Sequence, residues 1–219
     1  MEPHASHRAR QVPSPTSLML FVLGVAAATL VLSLVQTPYY RSRVRILLVQ
    51  QYGAGMDPYN ISKATEYYTN LLAEVVGSRT FFNEVMSADP RIQQNFFPTS
   101  PEKRERLWHK LVGAQPVGDT GILTITVYHP SRLQAESLAS AIAEVFASKG
   151  ALFHGVGDRI TIRTIDDPVT SEKPVSPILW LNVLIAFIVA SGAAVVFRMH
   201  TLAKRHERGK VNEEEYFLR

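Results

Sequence analysis

From Gln11 to Tyr40 the chain carries no Asp, Glu, Lys, Arg or His, and a second uncharged run extends from Pro174 to Phe197. A bilayer core of about 30 Å is crossed by roughly 20 apolar helical residues. Ser17–Gln36 and Ile178–Phe197 meet that length, so transmembrane helices are expected over 17–36 and 178–197. The first run reads as a retained anchor rather than a cleaved signal. A signal's apolar core is roughly 7–15 residues long, whereas this run continues through Leu32, Leu34 and Val35 into Thr37-Pro38-Tyr39-Tyr40. The two tyrosines suit an aromatic belt at a membrane interface.

Two spans put both ends of the chain on one side. Arg8 and Arg10 precede the first span, and Arg198, Lys204, Arg205 and Arg208 follow the second. That bias favours a cytoplasmic N-terminal segment, 1–16, and a cytoplasmic tail, 198–219. Arg41, Arg43 and Arg45 argue the other way, but they open a long segment, 37–176, and long folded segments translocate largely regardless of charge. The chain of 219 residues contains no cysteine, which is ordinary for a bacterial domain outside the cytoplasm and leaves no disulfide or thiolate metal site. The expected location is the bacterial cytoplasmic (inner) membrane, with the domain outside.

Within 37–176 the apolar periodicity changes repeatedly. Tyr40–Gln50 alternates as a strand, with Tyr40, Ser42, Val44, Ile46 and Leu48 on one face and Arg41, Arg43 and Arg45 on the other. Gln51–Tyr59 is broken by Gly53, Gly55 and Pro58. Asn60–Gly77 reads as a helix with an inward stripe of Ile61, Ala64, Tyr68, Leu71, Leu72 and Val75. Ser78 caps a short helix that presents Phe81, Phe82, Val85 and Met86 and ends at Asp89-Pro90. Thr99 and Glu102 have capping-box spacing around Pro101, and the helix they start carries Leu107, Trp108, Leu111 and Val112 and stops at Gly113. Gly121–His129 alternates as a strand, with Leu123, Ile125 and Val127 on one face. Pro130 opens a helix with the stripe Ala135, Leu138, Ala139, Ile142, Val145 and Phe146, and Asp158–Asp166 forms the last strand. The expectation is an α+β chain: two transmembrane helices flanking a small α/β sandwich, helices on one face of the sheet. Both outer strands connect directly to the spans.

No catalytic, cofactor or metal residue is assigned, and the chain reads as a non-enzyme. His109, His129 and His154 lack metal-ligand spacing and read as surface histidines. Asp166-Asp167 is an adjacent acidic pair, but neighbours on a strand point to opposite faces, so a strand-ending turn is the reading. Gly53-Ala54-Gly55 lacks the Lys-Ser/Thr of a phosphate loop. There is no G-x-S-x-G elbow and no H-E-x-x-H. The net charge of +4 comes from dispersed basic residues without a tract of five or more, which does not point to nucleic acid.

Taken in order, these features resemble the polysaccharide co-polymerase family, the Wzz or chain-length determinant proteins. The resemblance rests on the span ending in Tyr39-Tyr40 and the strand after it, and on Ser78-Arg79-Thr80-Phe81 at the start of a short helix. It continues through Leu123-Thr124-Ile125-Thr126-Val127, His129-Pro130 and the Ala135–Phe146 helix. His129 stands where the family has an acidic residue. It closes on the proline-rich approach to the second span, Pro168, Pro174 and Pro177, and then Asn182 and Gly192. The resemblance implies a homo-oligomer that governs the length of O-antigen, capsule or exopolysaccharide chains, working on the nascent polysaccharide with a polymerase and a flippase. The short spacing between the spans and the short segment after the second resemble the adaptor form, whose cytoplasmic end binds a separate tyrosine kinase. The competing readings are a two-span receptor with an exterior ligand-binding domain and a channel subunit. The latter would want a more polar pore face than Asn182 and Ser191 supply.

Several residues are singled out for function. Gly24 and Ala28, and Ala186, Ala190 and Ala194, repeat at four and could form oligomer interfaces by close packing, although small residues are common in any membrane helix. Pro168, Pro174 and Pro177 either couple the last strand rigidly to the second span or simply punctuate a helix start. The arginine row is either a solvated or headgroup face or a ladder for a subunit or an anionic ligand. Tyr216, after Glu213-Glu214-Glu215, is either part of a solvated, disordered end or a segment facing the kinase. The orientation has a direct test. Ser6→Cys and Thr201→Cys should be shielded from a membrane-impermeant thiol reagent in intact cells, and Ser100→Cys should be labelled. Labelling at position 6 would reverse the orientation.

Overall fold

A computed structural model describes residues 14–51, 57–155 and 160–217. The expected cytoplasmic anchors Arg8 and Arg10, and Gly53 and Gly55 of the first loop, lie outside the described residues. Two compact units emerge, one formed by the apolar helices and one by residues 37–176.

In the first unit, helix α1 spans Pro15–Val35 and helix α6 spans Leu179–Phe217. Ser14 caps α1 by accepting the Ser17 N–H, and Pro15 occupies the first turn, where its missing N–H costs nothing. The 21 residues of α1 and the 26 of Leu179–Lys204 are long and apolar enough to cross a membrane. The second helix was expected to end at Phe197 and give way to a disordered tail. It instead continues without a break through Tyr216. The charged residues after Phe197 are mostly good helix formers, so they change the surroundings the helix prefers without interrupting its backbone.

The second unit is a four-stranded antiparallel sheet with helices packed on it. Its strands are β1 (Tyr40–Gln50), β2 (Val112–Pro116), β3 (Ile122–His129) and β4 (Ile160–Thr170), in the spatial order β2-β3-β1-β4. Its helices are α2 (Pro58–Val76), α3 (Arg79–Ala88), α4 (Pro101–Leu111) and α5 (Arg132–His154). β3 and β4 both run antiparallel to β1 and flank it, so β3, α5 and β4 form a split β-α-β unit. β1 therefore lies inside the sheet rather than at its edge.

The core follows the periodicities closely. Val44, Ile46 and Leu48 of β1 and Leu123, Ile125 and Val127 of β3 are buried with the α5 stripe Leu138, Ala139, Ile142, Val145 and Phe146. The Phe81 ring meets Phe146 at 4.7 Å and Phe153 at 5.4 Å. Trp108 of α4 is buried with its Nε1–H donated to the Val76 carbonyl at 2.7 Å. That bond satisfies a carbonyl of the last turn of α2, which the helix itself leaves open.

Three local readings are corrected. The α4 N-cap is Ser100, without a side-chain cap bond. Thr99 does not fill that role: the first backbone bond of the helix, donated by the Arg104 N–H, is accepted by the Ser100 carbonyl. Gly113 does not stop a helix but lies inside β2, opposite Thr126. The α2 stripe is rotated: the buried residues are Thr65, Thr69, Leu72 and Val76. The two threonine hydroxyls donate back to the Ile61 and Thr65 carbonyls, at 2.9 Å and 2.7 Å, which makes the hydroxyl-bearing side chains compatible with the core.

The β2–β3 hairpin closes through Val117–Gly121. Gly121 has φ +72°, and a Cβ there would lie 2.7 Å from Thr65 Cγ2 and 3.1 Å from the Leu48 carbonyl oxygen. Gly118, at φ +50°, has open surroundings. Gly121→Ala is therefore expected to cost roughly 2 kcal/mol, the left-handed penalty plus overlap, and Gly118→Ala less. Thermal melting of the two variants checks the order. Equal losses would show that the Thr65 contact does not matter.

Candidate functional site

The alternation that buries Val44 and Ile46 sends Arg41, Arg43 and Arg45 to the opposite face of the sheet. Cross-strand register decides what surrounds them. Arg43 lies between Thr126 of β3 and Val169 of β4, Arg45 between Thr124 and Asp166, and Leu47 between Ile122 and Arg163. Among the described residues at these register positions, the face carries Arg41, Arg43, Arg45 and Arg163, with the carboxylate of Asp166 opposite Arg45.

Asp166 reaches its place through irregular pairing. The β1–β4 register shifts between Arg43 and Arg45 and again between Arg45 and Ile46. Asp167 and Pro168 together face the one step between those arginines, so Pro168 occupies a bulge on an edge strand, where a missing N–H is tolerated. The strand continues to Thr170, so Asp166-Asp167 is not a terminal turn. Asp166 instead accepts from Arg45, 2.8 Å from Nε and 2.5 Å from Nη2. Both side chains remain nearly half exposed, which keeps such a pair weak. Among the described residues, Arg41 and Arg43 form no ion pair.

Arg41, Arg43 and Arg45 line the middle of an open groove of about 460 Å³, between residues of β3 and β4. Thr124 and Ser171 add hydroxyls, and Val117, Ile122 and Val169 add apolar patches at its margins. A larger depression, about 680 Å³, lies between α3 and the 94–99 segment, but its one cation is Arg104, whose guanidinium packs over the Phe82 ring. Converging charge is thus a property of the sheet groove.

The proline segment is tied to the start of β1. The Ser171 N–H donates to the Arg41 carbonyl, and the Ser171 hydroxyl accepts the Arg41 N–H. Beyond Pro174, Val175 donates to the Tyr39 carbonyl at 2.8 Å and Tyr39 donates to the Ser176 carbonyl at 3.0 Å. Pro177 precedes the first turn of α6. In the helix pair, Ala190 and Ala194 are buried with Val22, beside Leu18 and Val25. Ala186 is half-buried, whereas Gly24 and Ala28 are exposed. The second stripe is therefore used within one chain and the first is left open. Asn182 donates to the buried Ser33 hydroxyl at 3.1 Å, which pairs two polar side chains inside the apolar unit. Tyr216 lies in the last turn of α6.

His129 is not a surface histidine; it is buried with 3% exposure. Its Nδ1 accepts the Ser131 N–H at 3.0 Å, and its ring lies 4.3 Å from Phe96. An acceptor is what a carboxylate would also supply at this turn into α5. Sequence reasoning missed the role because the signal is only the position, one residue before Pro130. His109 is exposed, as expected.

Burial pushes the His129 pKa below the ordinary histidine value near 6.5. The unfolded chain then binds more protons than the folded one just below that value, so stability falls as pH drops through the window from about 6.5 to the lower folded value. His129→Gln retains an acceptor without titrating. Melting temperatures of the purified protein between pH 7.5 and 5 should fall for the wild type and fall less for His129→Gln. Parallel curves would exclude His129 as the titrating group. Compared with models of known protein families and with curated proteins, the chain matches none.

Proposed function

We propose that the chain is a membrane-anchored, oligomeric polysaccharide co-polymerase that controls the chain length or export of a bacterial surface polysaccharide. The observation that carries the reading is the sequence order: a membrane-length helix, an antiparallel α+β domain, and a second membrane-length helix. The ordered resemblance to chain-length determinant proteins supports the same reading. In it, both helices cross the cytoplasmic membrane, both termini are cytoplasmic, and residues 37–176 form a two-layer α/β sandwich outside.

The role is non-enzymatic. The oligomer works beside a polymerase and a flippase on the nascent polysaccharide, and the end carrying Tyr216 faces a separate cytoplasmic tyrosine kinase. The proline segment couples domain to span: its backbone bonds to Tyr39 and Arg41 favour motion of the two chain exits as one. A second reading, a two-span receptor, is favoured by the arginine groove, which would suit an exterior anionic ligand.

Deletion of the gene distinguishes the two. Loss of length control, seen as a changed size distribution of the surface polysaccharide on gels, is expected of a co-polymerase. An unchanged distribution would favour the receptor. Pro174→Ala with Pro177→Ala should broaden the distribution at unchanged protein level. A normal distribution in that variant would reduce the prolines to punctuation.

A further inference from the structure

We infer that the groove along Arg41, Arg43 and Arg45 is a docking site for a linear acidic glycan, one bearing uronate carboxylates. The inference rests on the co-polymerase reading for the occupant being a polysaccharide. The acidic class comes from the groove itself.

Three features of the groove select the occupant. The arginines recur every second residue of one strand, about 7 Å apart. A row of that kind matches a polymer with repeated charge better than a single small anion. A guanidinium presents a planar fork to a carboxylate, and the groove already holds one such group, since the Asp166 carboxylate sits on Arg45. That internal pair is exposed and exchangeable, while Arg41 and Arg43 have no ion-pair partner among the described residues. The charges also line a concavity flanked by the Thr124 and Ser171 hydroxyls. The arginine row runs along the middle of this sheet face, between β3 and β4, with Arg43 and Arg45 exposed, so a chain laid along the strand can reach them in succession.

The test uses the full-length protein in nanodiscs of zwitterionic lipid. Polygalacturonate is the probe, dextran of similar length the uncharged control, and phosphatidylglycerol vesicles the lipid control. Polygalacturonate should bind, more weakly as salt is raised, and dextran should not. Arg43→Gln should weaken polygalacturonate binding at least tenfold with an unchanged melting temperature, because the side chain is exposed and supports no core contact. Arg43→Lys, which keeps the charge but not the fork, should fall between.

Absence of polygalacturonate binding, equal binding of dextran, or unchanged affinity in Arg43→Gln would overturn the inference. If Arg43→Gln instead abolishes vesicle binding and spares polygalacturonate, the face is a headgroup surface. If it changes only oligomer size, the face lies between copies of the chain. Both outcomes also overturn it. The gene deletion keeps this separate from the wider reading: altered polysaccharide length without polygalacturonate binding sinks the acidic groove alone. Unaltered length sinks the co-polymerase reading whether or not polygalacturonate binds.

Discussion

β1 is hydrogen-bonded along both edges, to β3 on one side and β4 on the other, and the domain depends on the strict alternation of its side chains. A strand with period two must give each face of the sheet a different set. Here one set is Ser42, Val44, Ile46 and Leu48, all buried, and the other is the arginine row. A one-residue slip would exchange them, driving three guanidiniums into the core and exposing the aliphatic side chains. Register is therefore held by a penalty far larger than any single contact, and the groove is a direct consequence of the same constraint that forms the core. Ser42 is the one polar member of the inner set, and it is satisfied by Thr170 at 3.0 Å.

Around that strand the chain closes its non-repetitive segments with a few polar bonds made from buried side chains. Gln134, 5% exposed, accepts the Gln93 N–H and donates to the Arg91 carbonyl, both at 2.9 Å. Asp89 caps the end of α3 and accepts from the Arg91 guanidinium and backbone. That partner holds its carboxyl below the usual carboxylate range. These bonds fix the 89–97 segment against the start of α5, where His129 accepts the Ser131 N–H and meets Phe96. Buried polar groups that are all paired favour one loop conformation over others, so the helix layer keeps its place on β1 although much of the connection has no regular structure.

Long, strongly periodic elements were legible from the residues. The α5 stripe and the inner faces of β1 and β3 were identified residue by residue, because burial on one side imposes the period directly. What was missed lacked that signal. β2 reads Val-Gly-Ala-Gln-Pro, and only Val112 is buried, so it has no alternation to detect. α2 buries two threonines, whose hydroxyls disguise them as surface residues until the bonds to the preceding turn are seen. Asp166 looked like a turn because the bulges that place it opposite Arg45 belong to the pairing of two strands 121 residues apart. No local pattern encodes such a register. The groove itself was half legible: the arginine row was visible, while its flanks depend on the pairing of β1 with β3 and β4.

The helix pair obeys a different economy from the domain. Lipid tails are as apolar as leucine, so if these membrane-length helices lie in a bilayer, burying Val22 against Ala190 and Ala194 gains little from exclusion of water and depends on close packing. Alanines at 190 and 194 permit that approach, and the Asn182–Ser33 bond adds a directional contact where unpaired polar groups are costly. With these groups engaged inside one chain, the small residues left exposed on the pair include Gly24, Ala27 and Ala28 of α1 and Gly192 and Ala193 of α6. Any association of these helices with further copies must then use a surface distinct from the one that joins α1 to α6. Substitution at Ala190 disturbs the pair itself, whereas substitution at Gly24 alters the exposed surface and leaves the internal contact in place.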